Sequence, residues 1–255
     1  MMRKTILTIL MSVMASAVSA ACLLDSLEYT FRLGYNIGGT APIGMPATIR
    51  SLNKYDLKAN FSLGVDVHKR ITPQWGVLIG LHLDRKDMEI DATVKNYHMT
   101  MAKDDSEIEG YYTGNLVTKC DEWMLTLPLM ATLNISEKVM LKGGPYVSYV
   151  TSKSFEGHVY DGYLRENDPT GEKIEMGNTN ETRGTFDFSD KMRRFQTGVD
   201  IGVDWQIGTH WGAYADLQWG LSGIHHSSFK TIEQTLYPIY GTLGVIYKIN
   251  NKRKL

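Results

Sequence analysis

Residues 195–207 alternate without interruption. Phe195, Thr197, Val199, Ile201, Val203, Trp205 and Ile207 hold the odd positions, and Gln196, Gly198, Asp200, Gly202, Asp204 and Gln206 the even ones. Successive side chains of a strand point to opposite faces, so this segment has one apolar face and one polar, glycine-rich face. The same period runs through residues 29–38, 61–71, 75–83, 123–133, 139–149, 211–221 and 237–249. Polar turns at 72–74, 136–138 and 208–210 alternate with long connections at 39–57, 92–120, 152–190 and 222–235. Each apolar register comes close to the roughly 9–11 residues that a tilted strand needs to cross hydrocarbon. Short turns on one side and long loops on the other predict an all-β fold, an eight-stranded antiparallel up-and-down transmembrane β-barrel with long extracellular loops.

A soluble eight-stranded barrel would wear the same pattern inside out. Two features set the sense. Trp75, Trp123, Trp205, Trp211 and Trp219 all share the apolar parity, as interfacial aromatic girdles require. The polar face carries Gly34, Gly64, Gly76, Gly80, Gly144, Gly202, Gly212, Gly220 and Gly244, where a water-facing exterior would carry many Lys and Glu. The apolar face therefore meets lipid. One irregularity follows Leu83: the apolar positions become Met88, Ile90, Ala92 and Val94, of even parity. A β-bulge near Arg85–Lys86, or a strand leaving the membrane as a tall hairpin, would explain it.

The N-terminus adds the route. Arg3 and Lys4, an apolar run over residues 6–18, then Ser19, Ala20 and Ala21 read as a cleaved secretory signal over residues 1–21, leaving 22–255 as one outer-membrane barrel domain. The apolar run is too short for a spanning helix. Cys22 would be lipidatable if cleavage fell just before it, but Ser19 stands where lipoprotein signals usually carry leucine, so ordinary cleavage near Ala20 or Ala21 fits better. The mean hydropathy of −0.22 looks soluble because a barrel hides its lipid-facing residues one in two. A net charge of −1 over 255 residues gives no reason to expect nucleic acid. Cys22 and Cys120 are the two cysteines; the topology puts them at opposite barrel ends, too far apart for a disulfide.

The inward parity carries Arg32, Asp66, His68, Arg70, Asp84, Lys142, Asp200, Asp204 and Asp216, together with His82, Thr126, Gln196 and Gln218. Charges in a narrow lumen must pair or stay wet, and eight strands leave just enough room for side chains to fill it. A packed network that plugs the lumen is the expected result. Residues 222–229 (SGIHHSSF) bring His225, His226, Ser227 and Ser228 together and faintly resemble the histidine–x–serine of lipid A deacylase barrels. That family has an acid some dozen residues later. Here the place is held by Ile239 or Tyr240, and the nearest acid is Glu233. Without a group to orient the histidine, no triad is complete, and no enzyme activity is expected. There is no CxxC, no clustered Cys/His spacing and no calcium-loop pattern, so neither cofactor nor metal is expected.

Residues 152–190 hold nine Asp/Glu against four Lys/Arg, which reads as a solvated, mobile loop. Loops 92–120 and 152–190 are the expected contact points for an extracellular or secretion-machinery protein partner, the other partner being the outer-membrane lipid bilayer itself. Finally, RLGYNIGG (32–39), LTLPLMATL (125–133), LKGGPYVSYV (141–150), QWGLSGI (218–224) and YGTLGVIYKI (240–249) resemble, in that order, the PorT-like outer-membrane β-barrel family of the Bacteroidetes. The resemblance implies an eight-stranded outer-membrane barrel. Its founding member serves type IX protein secretion, a role that no residue here specifies. Many such barrels end on an aromatic residue, whereas this chain continues through residues 250–255.

Overall fold

The computed structural model describes residues 27–44, 46–103, 106–229, 231–232 and 235–249. The expected signal segment, Cys22, Glu233 and the chain beyond Ile249 lie outside them. Eleven strands form among the described residues: β1 (Leu27–Pro42), β2 (Ile49–Leu57), β3 (Phe61–Arg70), β4 (Trp75–Lys103), β5 (Ser106–Asn134), β6 (Val139–Glu166), β7 (Lys173–Met176), β8 (Gly184–Asp187), β9 (Phe195–Gln206), β10 (Trp211–Gly220) and β11 (Leu236–Lys248).

Eight of them close a ring. β1 pairs with β3, and the antiparallel ladder continues through β4, β5, β6, β9, β10 and β11 back to β1. Closure satisfies every backbone group across the lipid without a free edge. The three predicted turns sit together at one end, tied by Ile71 N to Trp75 O (2.9 Å), Ile135 N to Val139 O (3.0 Å) and Ile207 N to Trp211 O (3.0 Å). The facing is as the alternation predicts. Leu33, Ile79, Leu129, Ile201, Leu217 and Leu243 are exposed, while Asp66, Asp200 and Thr126 are fully buried. Trp211 packs edge-on against Tyr247 at the turn end (5.3 Å for the matching Phe61–Trp123 pair at the other end), so both rims of the apolar band carry aromatics. Glycine lets the lumen fill: the Gly64 backbone lies against the His82 ring, and a Cβ there would collide with it.

Ile201, paired with Leu217 and Gly143 near the middle of β9, tests this facing. Ile201→Arg should cost roughly 2–4 kcal/mol, against much less for Ile201→Ser. Urea titration of the heat-modifiable folded form measures it. Equal tolerance of arginine at 200 and 201 would contradict the assigned faces.

The long connections differ from expectation. Residues 92–103 and 106–120 are not loop; they are the outer half of β4 and β5, laddered from Trp75↔Leu133 up to Lys103↔Ser106. Residues 152–190 contain the rest of β6, then β7 and β8, which pair back onto β6. Residues 39–57 contain the end of β1 and β2, which pairs with β4. The apolar switch after Leu83 has the tall-hairpin cause, because the β4–β5 register runs unbroken from Asp84 to Val94. The strand keeps its facing while its surroundings invert. Outside the bilayer the exterior meets water, so apolar side chains move inward. Met88, Val94, Tyr97, Met99, Tyr112, Phe155, Val159, Leu164, Met176, Phe186 and Met192 form a buried core there. Two local bulges keep that core inward: one between Val94 and Tyr97, where Asn96 adopts φ 54°, and one at Thr151, whose hydroxyl donates to the Trp123 carbonyl at 3.0 Å.

Candidate functional site

The lumen network is built from residues on six strands. Arg32 of β1, 1% exposed, donates through Nε to Asp66 of β3 and through Nη1 to Asp204 of β9 at 3.0 Å. Lys142 of β6 grips the same Asp204 at 3.2 Å and Asp216 of β10 at 2.8 Å. His82 Nε2 of β4 lies 2.7 Å from Asp66 Oδ1. Both cations also stand over the Tyr214 ring, at 4.8 Å and 5.3 Å. A lone buried charge would be costly; mutual pairing offsets that cost.

A second tier lies toward the outer side. Lys86 Nζ of β4 donates across the lumen to Gln218 of β10 at 2.9 Å, and Gln218 donates to Asp200 at 3.0 Å. Lys86 also faces the rings of Tyr240 (5.0 Å) and Tyr146 (6.0 Å). Gln196 donates to Glu122 at 2.6 Å, and Thr126 donates to Asp84 at 2.7 Å. β4 and β10 stand on opposite walls of the ring, so the Lys86–Gln218 bond straps the barrel across its width.

Of the residues expected in the lumen, Arg32, Asp66, Lys142, Asp204 and Asp216 meet at one centre, while Asp84 and Asp200 sit in the second tier, bonded to Thr126 and Gln218. His68 lies nearer the turn end, 3.1 Å from Glu28 and 2.9 Å from Thr132. Arg70 is a correction. Its side chain is 49% exposed and pairs with Glu28 at 3.2 Å on the rim, because Arg70 pairs with Gly76 at the very end of the ladder, beside the Trp75 girdle. Lys86, Glu122 and Glu28 were not anticipated. The first two continue the inward parity of Asp84 and Met124, one step past the apolar registers.

Outside the bilayer, the SGIHHSSF motif folds against the extension. Met192 and His225 form a bridge, and the His225 ring packs on Phe155 (4.7 Å) and Phe229 (4.8 Å). Among the described residues, its buried Nε2 has no hydrogen-bond partner. Burial, followed by Lys153 and His226, pushes its protonated form down to about 4. The ring packs between the two phenylalanines. Among the described residues no group of His, Cys, Asp and Glu could hold a metal ion. Cys120 is free and buried.

The model for the outer membrane protein beta-barrel domain matches residues 16–226. No curated protein matches the chain. Among solved structures, it is similar to Ail, the attachment invasion locus protein of Yersinia pestis, at 11% identity over 88% of this chain and 99% of that one, with a TM-score of 0.37. It is also similar to CarO2 of Acinetobacter baumannii (12% identity, 87% and 99% covered, TM-score 0.38) and to OprG of Pseudomonas aeruginosa (12% identity, 88% and 97% covered, TM-score 0.36).

Proposed function

The chain belongs to the outer membrane protein beta-barrel family and resides in the outer membrane, and we propose that it is a non-enzymatic scaffold there, with a closed lumen and a rigid outer extension that binds a protein partner. The observation that carries this reading is the extension itself. β4, β5 and β6 run 29, 29 and 28 residues, far beyond what the bilayer needs, and enclose their own apolar core. A folded platform above the membrane holds a surface in place for recognition, and pre-organised surfaces bind at lower entropic cost. The ion pairs and the Lys86–Gln218 strap across the lumen favour a filled interior over a conducting one. An esterase reading lacks support, because the His225 ring is wedged between two phenylalanines. Within the family, the ordered motifs from RLGYNIGG to YGTLGVIYKI favour a PorT-like member from the Bacteroidetes, which would make a secretion-machinery protein the partner class to examine first.

The test pairs conductance with crosslinking. Purified protein in a planar bilayer should give no steady single-channel steps. A photocrosslinker at Glu109, on the tip of the extension, should capture one discrete protein in native cells, and a crosslinker at Trp211 on the opposite rim should not. Steady ion conductance would refute the closed lumen. Equal capture from both ends would refute the platform.

A further inference from the structure

Just above the outer end of β9, the short helical turn Ser189–Lys191 and the residues leading to Phe195 border a cleft of about 570 Å³. Lys153, Arg193, Arg194 and His226 line it, with Asp190 and Phe195. A neighbouring cleft of about 370 Å³ shares Arg193 and His226. Among the described residues, none of Lys153, Arg193 and Arg194 has a carboxylate partner. Lys153 donates to the backbone carbonyls of Asp190 and Met192, and Arg193 donates to the carbonyl of His225 at 2.7 Å. The Asp190 carboxylate is taken by Lys191 at 2.9 Å. Burial and then the Arg194 guanidinium hold the Lys153 ammonium below its ordinary range. Lys153, Lys191, Arg193 and Arg194 gather here around the single carboxylate of Asp190, an excess of positive charge that an anion relieves.

The depth of the cleft identifies the anion. Phe195 is 65% exposed on the lipid face with Tyr149 beside it at 5.2 Å, and Leu221, 62% exposed, borders the neighbouring cleft. At a rise of about 3.4 Å per residue, Arg194 stands one step above the apolar band. Cations at headgroup height directly over apolar side chains match a molecule that is anionic at one end and hydrocarbon at the other. We propose that this cleft binds the phosphate-bearing headgroup of an outer-leaflet glycolipid, whose acyl chains lie against Phe195, Tyr149 and Leu221. The site is separate from the platform reading and does not depend on it.

The experiment measures binding of bisphosphorylated lipid A to the full folded protein in non-ionic detergent by native mass spectrometry. Dephosphorylated lipid A and inorganic phosphate are the other two probes. Arg194→Gln should weaken binding about fivefold, and Arg193→Gln with Arg194→Gln more than about tenfold, the scale of one or two surface cations at a membrane interface. Arg194 suits the test because its side chain is exposed, while its backbone carbonyl continues to accept the Val150 N–H at 2.7 Å. Heat-modifiable migration verifies the fold of each variant. Lys54→Gln, on an exposed lysine paired with Asp56, should leave binding unchanged. Dephosphorylated lipid should bind the wild-type protein no better than the phosphorylated lipid binds the double variant. Four results would overturn the proposal: wild-type affinity in the folded double variant, equal affinity for both lipids, an equal loss with Lys54→Gln, or displacement by inorganic phosphate at matching concentration, which would mark a soluble-anion site instead.

Discussion

Arg32→Met is expected to destabilise the folded barrel by about 3–5 kcal/mol, the usual cost of removing one partner from a buried charge network. The substitution keeps most of the side-chain volume and leaves Asp66 and Asp204, both essentially buried, facing each other without the cation that joins them. Lys142 still reaches Asp204 at 3.2 Å, and His82 still reaches Asp66 at 2.7 Å, so the cost should fall short of stranding two bare carboxylates. The measurement is the urea midpoint of the heat-modifiable folded form. Adding Asp66→Asn and Asp204→Asn to Arg32→Met should recover most of the loss, because neutral groups no longer demand a counter-charge. An additive loss across the three sites would mean that the residues do not act as a network.

How much of this centre was legible depends on what alternation encodes. Parity along a strand tells inside from outside, so the sequence alone places Arg32, Asp66, Lys142, Asp204 and Asp216 in one lumen. Parity says nothing of depth. Arg70 shares the inward register, yet it stands at the rim, where its guanidinium reaches water and Glu28. Lys86 and Glu122 were missed for a related reason. The apolar registers end at Leu83 and begin at Trp123, so alternation alone marks no strand beyond them, although β4 and β5 continue with Lys86 directly opposite Glu122.

The outer half of the molecule hides behind its average composition. Residues 152–190 count as acidic and loop-like because their water-facing positions are polar. Every few residues, however, a Phe155, Val159, Leu164, Met176 or Phe186 turns inward. Bulges at Thr151 and near Asn96 then shift the parity, so no single period of two runs from the membrane to the tip. The same residues that look like a solvated loop when counted are a core when their direction is known.

That difference has a measurable consequence. The composition of 156–185 alone predicts ready cleavage by external protease; the structure predicts resistance. Arg165 pairs with Lys173, so two obvious tryptic sites lie inside a ladder. Phe155 holds the extension together: 2% exposed, it touches the rings of His225, Phe186 and Phe188, and its backbone accepts from Phe188 N at 2.8 Å and donates to Ser189 at 2.9 Å. Phe155→Ala should therefore cost the extension about 3–5 kcal/mol through lost burial and the cavity left behind. On intact cells the wild-type protein should survive trypsin that cuts Phe155→Ala after Arg165 or Lys173. The trimmed barrel should still migrate as the folded form, because the eight-stranded ring closes in the membrane without the extension. Cleavage of both proteins at the same rate would show that the apolar core does not stabilise the outer strands. Loss of the folded band in Phe155→Ala would show that barrel and extension unfold as one unit, with the core above the membrane holding the ring below it.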